Sequence, residues 1–514
     1  MTAPFRSTPD RLPPNPGRLA SRPLLAGLAA LGLLAALPAC VAPSHHPARR
    51  DRTGHDAPAV QATLAAEAEM AAYADDVRRI VAASLADGRA YDRLAELVQV
   101  APHRLSGSAG YDDAVAWAVD VLRADGRENV RLQPVTVPHW ERGSVATLQV
   151  RVDDGPSEAL RIVALGGSVA TPAGGITAPV LEVHDFDELE RRAAEVPGSI
   201  VFFNRPMDAS LPDSFAAYGG AVDQRSRGAA ETARLGGLAA VVRSMTTRLD
   251  DAPHTGALRY AADGPRVPGV AVSTLGAERL SQLIASNDEV RLHLELDSAW
   301  HDDAPAANVI GELVGRERPD EILVVGGHLD AWDVGQGAHD DGAGCVQAME
   351  ALRLLDSLGL RPRRTLRVVL FANEENGLAG GRAYRDGHAD ELGRHVLALE
   401  SDRGGFTPRG FDTDANPEAR AILEAAAALL AEAGADRVVD GRGGADIGPL
   451  RDDGVIVVGF RPDPQRYFDL HHSENDTLDQ VSPRELNLGA GVIAALLYVV
   501  AEREETLPRN PASR

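Results

Sequence analysis

The sequence predicts an α/β protein: a mostly parallel central sheet flanked by helices, interrupted by an inserted β-rich segment. Three observations carry that expectation. Short, nearly continuous apolar runs (ILVVGGH, TLRVVLFANEE, HVLALESD and GVIVVGF) recur in the last third of the chain, as strands buried on both faces do. Helical stretches such as CVQAMEALRLLDSLG and ARAILEAAAALLAEAG alternate with them, which is the pattern of a sheet covered by helices. Between these runs and an Ala-rich helical start lies a long stretch of different composition.

In chain order, residues 1–39 read as an export signal. Arg6, Arg11, Arg18 and Arg22 precede the apolar run Pro23 to Leu37, which is short for a membrane span and has the polarity of a signal peptide. The run ends in Leu37-Pro38-Ala39-Cys40, which resembles the cleavage box of bacterial lipoproteins. That resemblance implies a lipidated Cys40, membrane contact through it, and a protein exported to the cell envelope. Val41 in place of Asp favours the outer membrane where there are two. The other reading is ordinary cleavage nearby, leaving a soluble periplasmic or secreted protein. Residues 40–60 read as a polar tether, in which His45, His46 and His55 are solvated.

Residues 61–138 and 303–505 are expected to form the main α/β domain, with 506–514 as a tail. Helical spacing is carried by Leu94, Leu97 and Val98, then by Val115, Trp117, Val119 and Leu122. Ser106 and Ser108 in HRLSGSAGYDDA are the candidate helix caps, and a strand follows at Val130 to Val137. Residues 139–302 read as a separate β-rich domain. VATLQV, RIVAL, PVLEV, SIVFFN and AAVVRS are its short β-type runs, with one helix near Arg227 to Leu235.

A length of 514 residues allows two to four domains. The formal net charge of -23 argues against nucleic acid or an anionic membrane surface as a partner. Only Cys40 and Cys345 occur. If Cys40 is modified there is no disulfide framework, and Cys345 reads as a buried structural thiol at a helix start.

Four stretches carry metal-type chemistry: GGHLDAWDVGQGAHDDGAG (from Gly326), FANEENGLAGG (from Phe371), ALESDRGG (from Ala398) and HHSENDT (from His471). His328, the pair Glu374 and Glu375, and Asp402 each follow a predicted strand, and ligands gather at strand carboxyl ends in such sheets. His328 and Asp330 are two apart, so in extended chain they point the same way. A carboxylate there can accept the second N–H of a metal-bound imidazole. Asp340 follows a Gly-rich loop and can bridge two cations, while Asp341 reads as a helix cap. Adjacent residues on an irregular strand end face different ways. One glutamate of the pair can therefore bind metal while its neighbour takes a proton from water. Asp402 and His472 complete two ligand sets.

These stretches resemble those of the co-catalytic zinc exopeptidases, and within them the carboxypeptidase Q subgroup. The inserted YGGAVDQRSRGAAETARLGGLAAVVRSMTTR (from Tyr218) resembles that subgroup's protease-associated domain. The resemblance covers about residues 70–505. It implies the zinc-exopeptidase sandwich fold and two zinc ions per chain. One zinc would be held by His328 and Asp402, the other by Glu375 and His472, with Asp340 bridging. Glu374 would be the general base, Asp330 the support of His328, and His471 a stabiliser of the oxyanion. The implied activity is hydrolysis of dipeptides or short peptides with a free amino terminus, in a protein that pairs as a homodimer. A broad-specificity aminopeptidase is the alternative. A non-catalytic surface binding protein is a third reading, disfavoured by the intact ligand set and base.

Overall fold

The computed structural model describes residues 69–512. The signal, Cys40 and the tether lie outside the described residues. The described residues open with helices Ala74–Asp87, Ala90–Val100 and Ala109–Ala124, after a short turn at Ala71–Tyr73. Ser108 caps the third by accepting the Tyr111 N–H. Ser106 does not cap it: its hydroxyl is buried and unpartnered.

The strands follow as Glu128–Val137 (β1), Trp140–Glu141 (β2), Ala146–Val152 (β3), Glu158–Leu160 (β4), Ile162–Ala164 (β5) and Ile176–Val183 (β6). Next come Ile200–Phe203 (β7), Ala239–Arg243 (β8), Gly269–Val272 (β9), Val290–Leu296 (β10) and Ala299–Trp300 (β11). The last group is Ala304–Leu313 (β12), Arg318–His328 (β13), Arg364–Phe371 (β14), His395–Glu400 (β15), Pro408–Thr413 (β16), Arg437–Asp440 (β17) and Ile456–Pro462 (β18).

Two eight-stranded sheets result. The first runs β1-β12-β14-β13-β15-β18-β16-β17. Its centre, β14-β13-β15-β18, is parallel as expected. The edges depart from the expectation: β1, β12 and β16 pair antiparallel, so the sheet is mixed. Strands β14 and β15 are buried at every residue, and β13 is buried from Ile322 to His328. They stay buried because helices cover the sheet. Helix Ala343–Ser357 packs against β13 and β14, and helix Pro483–Glu502 packs against it and against Ala74–Asp87. Pro483–Glu502 is long and apolar enough to cross a membrane, yet most of it is buried in this core. Ser482 caps it by accepting the Glu485 N–H, and Pro483 stands where no intrahelical donor is needed.

The second sheet runs β4-β3-β10-β6-β7-β8-β9-β5 and is made entirely by residues 146–296. It is not simply β-rich. Strands β6 to β9 are parallel, and parallel neighbours need crossovers, usually helical. Helix Phe186–Arg191 crosses from β6 to β7, and helices Ser214–Gly219 and Val222–Arg234 cross from β7 to β8; the β8 to β9 connection has no helix, and Thr274–Ser286 follows β9. Both ends of this segment pass through the small ribbon β2–β11, where the His301 N–H donates to the His139 carbonyl (3.0 Å).

Candidate active site

Strand β13 ends on His328, β14 ends just before Glu374 and Glu375, and β15 ends just before Asp402. Because these strands are parallel neighbours, all of these side chains reach one edge of the sheet. Asp340 arrives from the loop before helix Ala343–Ser357, and His472 from the segment after β18. Gly344 allows the first turn of that helix to lie against Ser401, since a Cβ there would meet the Ser401 carbonyl at 1.8 Å.

The donor atoms form two sets. His328 Nε2 lies 3.3 Å from Asp340 Oδ1 and 3.4 Å from Asp402 Oδ1. His472 Nε2 lies 3.2 Å from Asp340 Oδ2 and 3.0 Å from Glu375 Oε2. Each oxygen of Asp340 therefore faces a different imidazole. Four ligands at about 2.0–2.1 Å around zinc stand roughly 3.3 Å apart along the edges of a tetrahedron, so these spacings suit a cation in each set. Asp340 Oδ2 and Asp402 Oδ1 are also buried without a hydrogen bond. Buried carboxylate oxygens with no donor are costly, and a bound cation is what would satisfy them.

The electrostatics agree. Burial disfavours the cationic form of His328, but the Asp402 and Asp340 carboxylates outweigh it and hold its pKa well above the usual range. Burial likewise opposes charge on His472, and Glu375 and Asp340 still push it up to about 9. Glu375 is pushed up to about 7 by burial and then by the charge of Asp340. A cation replacing those protons would be held less tightly as the pH falls.

Glu374 lines the cleft beside Asp340, Glu375 and Asp402. Burial first, then the charges of Asp402, Glu375 and Asp330, push its carboxyl well up against the pull of His328. Asp330 is placed differently from the sequence expectation. The His328 Nδ1–H donates to the Asp330 backbone carbonyl (2.9 Å), and the Asp330 carboxylate stands 3.8 Å from that nitrogen. Its two oxygens instead accept the backbone N–H groups of Glu374 (3.1 Å) and Glu375 (3.3 Å). The chain turns sharply after β13, so the carboxylate swings toward the end of β14 and fixes the glutamate pair. Asp341 accepts the Gly344 N–H in the first helical turn and also the His328 N–H. The Cys345 thiol is buried and donates to the His328 carbonyl.

His471 stacks on His472 with ring centroids 3.5 Å apart. Its Nε2 stands 3.7 Å from Asp340 Oδ2, and its Nδ1 is buried without a partner. Burial and then the charge of His472 hold its pKa well below the usual value, so it is neutral.

Several residues of the site escaped the sequence reading. Asp476 accepts the N–H groups of His339 (2.7 Å) and Asp340 (3.1 Å) and so fixes the backbone at Asp340. Arg104 is fully buried and donates to the carbonyls of Leu329, Gln336 and Gly337, tying down the same loop. From residues 139–302, Phe215, Tyr218, Arg225, Arg259 and Trp300 line a cleft of about 750 Å³ together with the metal-type residues. Asp476, Arg104 and Arg225 all lie inside the stretches given above, but nothing in those stretches marks their distant partners.

A sheet that gathers two imidazoles and four carboxylates at one such cleft defines a metal-dependent hydrolase. The Peptidase family M28 profile matches residues 308–497. Carboxypeptidase Q of Bos taurus is 38% identical, over 86% of this chain and 92% of that protein. Carboxypeptidase Q of Homo sapiens is 39% identical, over 83% and 88%. The crystal structure of a peptidase M28 precursor from Shewanella amazonensis SB2B superposes with a TM-score of 0.82 at 33% identity, covering 86% of this chain and 99% of that one. The chain belongs to peptidase family M28 and is a metallopeptidase. A zinc aminopeptidase of Bacillus subtilis shares the fold alone, with a TM-score of 0.59 at 19% identity over 82% and 96%.

Proposed function

We propose that this chain is a two-zinc exopeptidase that hydrolyses dipeptides or short peptides with a free amino terminus. The observation that carries the reading is Asp340, whose two oxygens face the imidazoles of His328 and His472 at 3.3 and 3.2 Å. His328 and Asp402 would hold one ion, Glu375 and His472 the other, with Asp340 between them. When bound, zinc supplies Lewis acidity at the scissile carbonyl and makes water acidic enough to lose a proton near neutral pH. Glu374 takes that proton and returns it to the leaving amine. Asp330 holds the Glu374–Glu375 backbone in place, and neutral His471 donates toward the developing oxyanion.

The far wall of the cleft supports the substrate class. Arg225 is 8% exposed, has no ion pair among the described residues, and places Nη1 3.4 Å from His472 Nδ1. Its guanidinium lies 5.5 Å from the Tyr218 ring centroid. Two zinc ions would offset four carboxylates, leaving Arg225 as an anchor for the free carboxylate of a short substrate. The residues 139–302 that supply this wall are read as a protease-associated-type domain that narrows the cleft. The test is a panel of dipeptides, aminoacyl anilides and long peptides, given to the zinc-loaded enzyme and to Arg225→Gln. Dipeptides should be cleaved fastest, and the variant should raise KM for dipeptides by roughly 10-fold or more while sparing aminoacyl anilides, which lack a carboxylate. Cleavage of long peptides at internal bonds as fast as dipeptides would overturn the exopeptidase reading. Equal activity on anilides and dipeptides would favour the broader aminopeptidase.

We further propose that the mature protein begins at a lipidated Cys40 and is held at the cell envelope. Cys40→Ser should move it from the membrane fraction to the soluble one or block processing. An unmodified amino terminus downstream of residue 40, found by mass spectrometry, would refute the anchor. The homodimer is also a proposal, and sedimentation of the purified protein decides it.

A further inference from the structure

The zinc ligand His472 stands where the chain needs outside help. Its φ is +61°, in the left-handed region that residues with a Cβ rarely occupy. Such conformations persist where surrounding structure fixes them. The fixing contacts come from the second sheet, from a loop more than two hundred residues earlier in sequence. The His254 Nδ1–H donates to the His471 carbonyl at 2.7 Å, and the Thr255 N–H donates to the His472 carbonyl at 2.8 Å. Two consecutive carbonyls of the ligand segment are therefore held by two consecutive residues of one loop.

That loop is itself braced. The His254 N–H donates to the Ser244 hydroxyl (2.9 Å), which in turn donates to the Val272 carbonyl at the end of β9 (2.7 Å). The Thr255 hydroxyl donates to the Ala164 carbonyl at the end of β5 (2.8 Å). Gly256 follows with φ +128°, and a Cβ there would meet Arg225 Nη1 at 2.4 Å and His472 Nδ1 at 2.7 Å. Arg225 Nη1 and His472 Nδ1 are 3.4 Å apart, and only a bare backbone fits against that contact. His254 is 1% exposed and its Nε2 has no partner, so nothing but the bond to His471 accounts for its polar presence there.

We infer that the segment Ala252 to Gly256, acting through His254 and Thr255, is a positioning element of the metal site: it holds His472 in the conformation that coordinates. The inserted sheet is then part of the metal centre and not only a wall of the cleft. This rests on His472 being a zinc ligand, as proposed above. Outer partners that orient a ligand typically change metal affinity by about 10–100-fold when removed.

The experiment uses the full chain and reads zinc, not activity alone. His254→Leu removes the donor at similar size, and His254→Asn keeps an N–H near the place of Nδ1. Competition with a chelator of known affinity should show one of two zinc ions bound about 10–100-fold more weakly in His254→Leu, with affinity largely restored in His254→Asn. A folded His254→Leu that holds both ions as tightly as the natural protein would overturn the inference. Hydrogen exchange on the natural protein gives an answer even where that variant does not fold. Coupling between sites is reciprocal, so zinc loading should slow amide exchange in residues 252–256. Exchange there that is the same with zinc and after chelation would also overturn it. A natural protein that binds no zinc at all would instead refute the zinc site on which the inference rests.

Discussion

Glu374→Gln should lower turnover by roughly 10²–10⁴-fold, the range typical of general acid–base catalysis, while leaving both zinc ions bound. The amide keeps the size and polarity of the side chain and cannot take a proton. Its backbone is held by Asp330 independently of the side chain, so the end of β14 should not move. Glu375→Gln is the necessary comparison. Its carboxylate stands 3.0 Å from His472 Nε2, so the amide should loosen one ion, because an amide is a poorer ligand. Zinc content and single-turnover rates of both variants separate the roles. Loss of metal from Glu374→Gln with retention in Glu375→Gln would show that the two are reversed. Near-normal turnover of Glu374→Gln with both ions present would exclude it as the base.

Asp340→Asn should have a still wider effect. One amide oxygen cannot serve two ions, and the amide nitrogen cannot serve either. The variant should hold no more than one zinc tightly. The lost ion should bind more weakly by more than the roughly 10–100-fold expected for an outer partner, and turnover should fall with it. The segment itself should stay in place, because Asp476 and Arg104 hold its backbone without using the Asp340 side chain. Elemental analysis after dialysis, read beside a circular dichroism spectrum, checks both halves. Two tightly held ions in the variant would mean that Asp340 does not bridge.

The parts of this molecule that are legible in its sequence are those written as local pattern. The apolar runs ending in His328, in Glu374 and Glu375, and in Asp402 announce strands and their loaded ends together. The structure places those side chains, with Asp340 and His472, around one cleft. Parts that depend on distant pairing were hidden. Asp330 was expected to serve the histidine two residues away. Its carboxylate serves a turn 44 residues on, because the direction of a side chain after a strand end is set by the turn and not by spacing. Nothing in the sequence around Arg104 marks it, and only the fold reveals three carbonyls converging on it. The inserted segment showed its short strands and, near Arg227 to Leu235, the helix Val222–Arg234, but not its other helices or β9 and β10. Runs as brief as GVAV carry no period by which to tell parallel from antiparallel pairing. Helix Pro483–Glu502 is apolar on nearly every side, so it offers no amphipathic stripe to read.

The ribbon of β2 and β11 has a consequence for how this protein can be taken apart. His139 and His301 meet through a hydrogen bond and a ring contact, though the whole second sheet lies between them in sequence. The larger sheet could be rejoined at that point by a very short link, with no strand of its own reordered. In topology the segment is a graft on a single stem, and its excision leaves a continuous host. What excision would remove is the scion's grip on the host: His254 and Thr255 on the segment of His472, and Arg142 on Asp333 in the loop after β13. A trimmed chain of this kind would keep His328 and Asp402 on their strand ends and leave the segment of His472 to hold itself.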